Sequence, residues 1–86
     1  MNNKITDLKD TVDLMLSEDR NERFKAEYYQ LTIRLTKLTE FLLAWDLGEL
    51  PEEPKAKRYD LEEQQRIMRM YLANLQKRAK NEGIEL

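Results

Sequence analysis

A long, regular row of apolar side chains constrains the fold of this chain more than any other feature of its sequence. Within residues 23–48, large apolar residues recur in alternating steps of four and three: Phe24, Tyr28, Leu31, Leu35, Leu38, Leu42 and Trp45. This spacing places all of them on one face of an α-helix, and its heptad repetition is typical of helices that pack against other helices. The row therefore predicts a long helix with one apolar seam.

The long helix is predicted over about residues 18–47, with Ser17 as its N-cap and Gly48 ending it in a left-handed conformation. A short helix before it is predicted over about residues 4–16, where apolar residues recur in steps of three, four and three. The composition agrees with an all-α fold, because 37% of the residues are charged and the chain contains only 2 Gly and 2 Pro.

A third helix is predicted over about residues 61–82, after a loop at residues 48–60 that contains both prolines. Asp60 and Glu63 have the spacing of a capping box, and Gly83 followed by Ile84 is a typical helix ending. The seam of this helix consists of Leu61, Met68, Leu72, Leu75 and Ala79, with Gln65 where an apolar residue would be expected.

Together these elements predict a single helical domain over residues 1–86, built as an antiparallel hairpin with an added N-terminal helix. A hairpin buries one face of each long helix, yet both carry further apolar residues off the seam. Either the N-terminal helix or another copy of the chain should cover them. Because 86 residues form a small core and the chain has 0 Cys and 0 His, we expect a helical homo-oligomer. The predicted interface residues are Tyr29, Ile33, Ile67 and Met70.

The composition excludes several classes of function. Without Cys or His the chain has no thiol or imidazole for nucleophilic catalysis or for the usual zinc and haem sites, so we expect neither an enzyme nor a metal or other cofactor. A net charge of −2 disfavours general nucleic-acid binding. No apolar run is long enough to cross a bilayer and no signal peptide is evident, so we expect a soluble and unprocessed chain.

Cationic residues beside the two seams are the candidate binding residues. On one flank of the long helix, Arg23, Arg34 and Lys37 share a narrow sector, and on the last helix Tyr71 and Arg78 lie one heptad apart. Guanidinium groups bind phosphates through paired donors, and aromatic rings stack on bases. The same residues also fit a solvated face with intrahelical ion pairs and a polar edge that fixes helix register.

A second polar strip, formed by Thr32, Thr36 and Thr39, runs along the other flank of the long helix. Threonine is a mediocre residue inside a helix, so three of them on one side need an explanation. Their hydroxyls could line a pocket between protomers, or each could bond to the carbonyl of the preceding turn.

Two segments, "ERFKAEYYQLTIRLTKLTEFL" and "LEEQQRIMRMYLANLQKRA", together with the ending "EGIEL", carry a family resemblance. Over roughly residues 15–86 the chain resembles a family of small phage proteins named after a reading frame of a crAss-like phage. The matching positions are Arg23, Glu27, Leu31, Lys37, Leu38, Phe41, Gln64 or Gln65, Met68, Tyr71, Leu75 and Arg78. The N-terminal helix is not part of the likeness.

The resemblance implies a phage or prophage origin and action in the cytoplasm of a host bacterium. Small accessory phage proteins often counter host immunity by stoichiometric binding, and one known way is to hold a nucleotide signal in pockets between protomers of a helical oligomer. The chain lacks the "KGYR"-type segment of the best-known helical family of that kind.

We therefore expect an anti-defence protein that sequesters a cyclic or ADP-ribose-type nucleotide, with Arg23, Arg34, Lys37, Tyr71 and Arg78 as its contacts. Two alternatives remain: a protein that binds and inhibits a host defence effector or nuclease, and a structural adaptor without a ligand.

Overall fold

A computed structural model describes residues 5–86 and confirms the all-α fold. A 3₁₀ turn at Leu8–Thr11 leads into α1 at Val12–Met15; α2 spans Arg20–Asp46 and α3 spans Arg58–Glu82. The predicted start of the short helix, at about residue 4, lies outside the described residues. We call residues 5–17, which contain the 3₁₀ turn and α1, the N-terminal segment.

The two long helices pack against each other as the predicted antiparallel hairpin. At its open end, Arg20 at the start of α2 forms an ion pair of 3.1 Å with Glu82 at the end of α3. At the loop end, Arg58 pairs with Asp46 at 2.8 Å. These contacts join the beginning of one helix to the end of the other, which fixes the antiparallel register.

The core lies between α2 and α3, near the open end of the hairpin. Its buried residues are Phe24, Leu31, Leu75, Ala79 and Ile84, with Tyr28, Met68 and Leu72 packed against them. Gln65, the polar residue in the seam of α3, donates from Nε2 to the hydroxyl of Thr39 on α2 at 3.0 Å. The two seams thus meet as predicted, and a cross-helix hydrogen bond replaces an apolar contact at one level.

The N-cap of α2 is Asp19 and not the predicted Ser17. The Asp19 carboxylate accepts from the backbone N–H of Asn21 at 2.9 Å, while the Ser17 hydroxyl accepts from the N–H of Asp19 at 3.0 Å. The helix begins later because Asp19 has the extended backbone of a cap. At the other end Gly48 has a φ of +69°, as its predicted role requires.

The third helix begins at Arg58, so the predicted capping box of Asp60 and Glu63 is wrong. Its first turn is held instead by Arg58, which pairs with Asp46 and with Glu62. Hydrogen bonds to Asp46 and Glu62 raise the pKa of the Arg58 guanidinium. The first turn of α3 thus has no side-chain cap and is held by one tertiary and one intrahelical ion pair.

The end of α3 follows the prediction. Gly83 takes a left-handed φ of +70°, and the N–H of Ile84 donates to the carbonyl of Ala79 at 2.8 Å. Ile84 is buried in the core beside Leu75 and Ala79. The ending therefore caps the helix and adds an apolar side chain to the core.

The N-terminal segment packs on α2, on the side away from α3. Thr11 is completely buried, donates to the carbonyl of Leu8 at 2.6 Å and accepts from Gln30 Nε2 of α2 at 2.9 Å. Ala26 and Ile33, on the same side of α2, are 2% and 8% exposed. The sequence left open whether the N-terminal segment or another copy of the chain covers the second apolar face of α2. In the structure, the N-terminal segment of the same chain covers it.

Candidate functional site

Two of the predicted site residues, Arg23 and Arg78, lie together at the open end of the hairpin. They line a shallow concavity of about 200 Å³ whose residues are Arg20, Arg23, Phe24, Glu27 and Arg78. The antiparallel register brings them together, because it sets the first turns of α2 beside the last turns of α3. Below, this concavity is called the arginine cleft.

Arg78 is positioned by an aromatic ring and a carboxylate. Its guanidinium carbon lies 4.9 Å from the centroid of the Phe24 ring, and its Nε donates to Glu82 at 3.2 Å. Arg20 donates to the other oxygen of Glu82 at 3.1 Å. Glu82 thus accepts from two guanidinium groups, an arrangement that also suits an oxygen-rich anion.

Arg23 is held at the rim of the arginine cleft by the N-terminal segment. Its Nη1 donates to the backbone carbonyl of Ser17 at 2.8 Å. A neutral carbonyl orients the guanidinium without neutralising its charge. Glu27, the carboxylate that lines the cleft, lies one turn further along α2, and Glu82 lies beside the cleft on Arg20 and Arg78. Three guanidinium groups and two carboxylates therefore meet here, which leaves one net positive charge.

Arg34 and Tyr71 lie on the same broad side of the hairpin as the arginine cleft. Arg34 is about 16 Å beyond Arg23 along α2, and Tyr71 is about 10 Å from Arg78 along α3, from the rise of 1.5 Å per residue. Both side chains are exposed, Tyr71 to 41%. They extend the cationic and aromatic character of this face but do not line the cleft itself.

Lys37 lies apart from the other four predicted residues. It lines a groove of about 370 Å³ between the N-terminal segment and α2, together with Ile5, Thr6, Thr32, Ile33, Thr36 and Glu40. The helical wheel groups Lys37 with Arg23 and Arg34, whereas in the structure Lys37 lines the groove beside the N-terminal segment. Thr32 in this groove donates to the carbonyl of Tyr28 at 2.9 Å, which favours the back-bonding explanation for that threonine.

Sequence reasoning did not assign Arg20, Phe24 or Glu82 to the site. Phe24 was assigned to the seam, and its ring serves both the core and Arg78. Arg20 and Glu82 lie at the ends of their helices, so only the register of the hairpin brings them together. The spacing of Glu82 four residues after Arg78 is typical of an intrahelical ion pair and could have found Glu82, but no local spacing points to Arg20.

The four predicted interface residues differ in their surroundings. Ile33 is buried within its own chain, and Tyr29 is half-buried with its ring centroid 5.3 Å from that of Tyr28. Ile67 and Met70 are exposed on α3 to 51% and 61%. A role for these residues between copies of the chain stays a prediction.

Within residues 5–86, no helix is both long enough and apolar enough to cross a membrane. The same residues contain no group of three or more Asp or Glu that could hold a metal ion.

Comparison with known proteins gives one family. The family model described as Sequestin matches residues 18–81, which take in α2, the loop and nearly all of α3. No curated protein and no solved structure matches the chain. The matched range covers the hairpin and excludes the N-terminal segment.

Proposed function

Because the chain belongs to the Sequestin family, we propose that it binds and holds a nucleotide immune signal, as an anti-defence protein encoded by a phage. The family name indicates a sequestration-type function, which requires binding and no chemical conversion of the ligand. The nucleotide, the phage origin and action in the host cytoplasm are the parts that we add. A signal produced in the bacterial cytoplasm has to be captured there.

The arrangement around Glu82 is the observation that carries this proposal. Arg20 and Arg78 already direct N–H groups at the two oxygens of one exposed carboxylate. A phosphate presents the same kind of oxygens with more negative charge, so it can replace Glu82 as their acceptor. Cyclic and ADP-ribose-type nucleotides carry such phosphates and a flat base, for which Tyr71 on the same face offers an exposed ring.

The arginine cleft is shallow, and this favours a pocket between protomers. Pockets that hold small molecules tightly bury most of the ligand surface. A cleft of about 200 Å³ on a single hairpin is too small to enclose a nucleotide. We therefore propose that a second copy of the chain closes the cleft over the ligand.

Calorimetric titration of the purified chain with a cyclic ADP-ribose, and separately with linear ADP-ribose, tests this function. We expect saturable binding of at least one of them, and a loss of affinity of about tenfold or more for Arg78→Ala, because a charge-assisted contact of 1.5–3 kcal/mol is removed. Arg66→Ala is the matched control, since Arg66 pairs with Glu63 on α3 and does not line the cleft.

The proposal is wrong if neither compound binds at millimolar concentration, or if Arg66→Ala weakens binding as much as Arg78→Ala. Native mass spectrometry of the chain purified from cells with an active nucleotide-based defence provides an independent readout. In that experiment the added mass of a retained small molecule should disappear with Arg78→Ala.

Exposed leucines near the loop favour a second candidate, a protein that binds and inhibits a host defence effector. Leu43 and Leu47 on α2 are 56% and 61% exposed. Apolar groups that stay exposed in a small protein often mark a protein-binding surface. This candidate predicts that Leu43→Glu abolishes the anti-defence effect in infected cells, whereas Arg78→Ala leaves it intact.

A further inference from the structure

We infer that the outward face of α3 is self-complementary and pairs two copies of this chain in antiparallel orientation. This face, called here the outer face of α3, lies opposite the seam that packs on α2. Its residues follow one helical stripe: Asp60, Glu63, Ile67, Met70, Asn74 and Lys77.

The apolar centre of the outer face has no cover in the described chain. Ile67 is 51% exposed and Met70 is 61% exposed. The N-terminal segment contacts α2, and none of its residues from Leu8 to Met15 forms a packing interface with α3. Two large apolar side chains one turn apart thus remain in solvent in the middle of a helix about 37 Å long, by the rise of 1.5 Å per residue.

Charge identifies the partner of this face. Its N-terminal end carries Asp60 and Glu63, of which Glu63 pairs with Arg66 at 2.9 Å, and its C-terminal end carries Lys77. Within the described residues, Asp60 and Lys77 form no ion pair. A second α3 laid alongside in the reverse direction meets each end with the opposite charge, whereas a parallel copy would set acid against acid.

The residue spacing agrees with a twofold axis through the middle of the stripe. If the axis passes between positions 68 and 69, Ile67 of one copy faces Met70 of the other, and Asp60 faces Lys77. Glu63 then faces Asn74, which can donate to its carboxylate. Each contact occurs twice, as an isologous interface requires. Each residue of the outer face thus has its complement on the outer face of another copy, so we assign the partner as a second copy of the chain.

This pairing does not rest on nucleotide binding, because its contacts exclude the interior of the arginine cleft. A twofold axis perpendicular to the helices keeps both Tyr71 side chains on one side of the pair. The two arginine clefts then open on the same side of the dimer, and each lies near the boundary between the two chains. The pairing would thus supply the neighbouring chain that the proposed site needs.

Site-specific cross-linking tests the arrangement, because the chain contains 0 Cys and one introduced thiol is unique. We expect Ile67→Cys to give a covalent dimer with a short bis-maleimide in the absence of any nucleotide. Arg69→Cys is the matched control. Arg69 lies two residues after Ile67 and on the opposite side of α3, outside the outer face, so this variant should give no covalent dimer.

Sedimentation of charge variants tests the direction of the pairing. We expect Asp60→Lys to weaken the dimer about tenfold or more, since a facing pair becomes repulsive, and the double variant Asp60→Lys, Lys77→Asp to restore it. Circular dichroism shows whether each variant is still helical. A monomeric wild type at tens of micromolar, equal cross-linking of the two thiol variants, or no restoration by the helical double variant would overturn the inference.

Because these measurements contain no nucleotide, their failure is distinct from failure of the titration with ADP-ribose compounds. A dimer that binds no nucleotide contradicts only the proposed function. A monomer that binds one contradicts the pairing and the closure of the cleft by a second copy, but not nucleotide binding itself.

Discussion

Leu75 is the most completely buried side chain of the hairpin core. It is 0% exposed and lies in the cluster that joins α3 to Phe24 and Leu31 of α2. Replacing it with alanine removes its buried methyl groups and leaves a cavity, which costs about 2–5 kcal/mol in well-packed cores. For a chain of this size such a loss is a large part of the free energy of unfolding.

We therefore predict that Leu75→Ala lowers the free energy of unfolding by at least about 2 kcal/mol, as measured by urea denaturation followed by circular dichroism. Leu43→Ala is the matched control, because Leu43 is 56% exposed and its truncation leaves little cavity. Equal midpoints for the two variants would show that the core does not lie where the structure places it.

Arg78 differs from Leu75 in that its role can be separated from folding. Its side chain is 42% exposed, and its ion pair with Glu82 is of the surface kind that contributes about 0–1 kcal/mol. The Phe24 ring beneath it also packs in the core cluster with Leu31 and Leu75, contacts that do not involve Arg78. Truncation of Arg78 should thus alter ligand binding far more than the stability of the fold, which makes it a clean probe of the proposed site.

The N-terminal segment depends on one carboxylate for its local structure. Asp10 accepts from the backbone N–H of Thr6 at 3.1 Å and from that of Asp7 at 3.0 Å. These bonds, led by the one from Asp7, lower the pKa of Asp10. A lowered pKa means that the carboxylate stabilises the segment above its ordinary pKa, and that this contribution is lost as pH falls through the lowered value.

We predict that acid loosens the N-terminal segment while the hairpin stays folded. The amide resonances of residues 6–11, followed by NMR from neutral to acid pH, should shift with the low pKa of Asp10. Asp10→Asn should remove this transition, whereas Asp13→Asn, a change at an exposed residue of the same segment, should preserve it. A transition that persists in Asp10→Asn would assign the pH dependence to another group.

The whole molecule is an elongated hairpin, about 42 × 26 × 20 Å, with a short segment across one side. The segment covers Ala26 and Ile33 of α2, and α3 covers the opposite side of the same helix. With its two sides occupied within one chain, α2 has a limited free surface, and α3 offers the longer open face for another copy.

Deletion of residues 1–17 tests how much the segment contributes. We predict a chain that keeps its helical circular dichroism but unfolds at a lower urea concentration. Its free energy of unfolding should fall by about 1–3 kcal/mol, since Ile33 and its neighbours return to solvent. The variant Thr11→Ala should give a smaller loss in the same direction, because it removes the acceptor of Gln30 but leaves the segment in place. Unchanged stability of the deletion variant would contradict the observed docking.

The heptad rows of Phe24 to Trp45 and Leu61 to Ala79 were sufficient to predict two long helices, each with one apolar seam. Gly48 and Gly83 likewise predicted where the helices end. These features follow from spacing within one helix and from backbone conformations that glycine adopts readily, so neighbouring residues determine them. A short sequence window contains all the information that they need.

Tertiary structure decided the contacts at the ends of the helices, the cover of α2 and the composition of the arginine cleft. Arg58 at the start of α3 pairs with Asp46 at the end of α2, and Arg20 reaches Glu82 across 62 positions of sequence. Lys37 shares a wheel sector with Arg23, yet the docked segment gives it a different groove. A helical wheel shows which residues share a side of one helix; which sides meet depends on the packing of the whole chain, because distant segments compete for the same apolar surface.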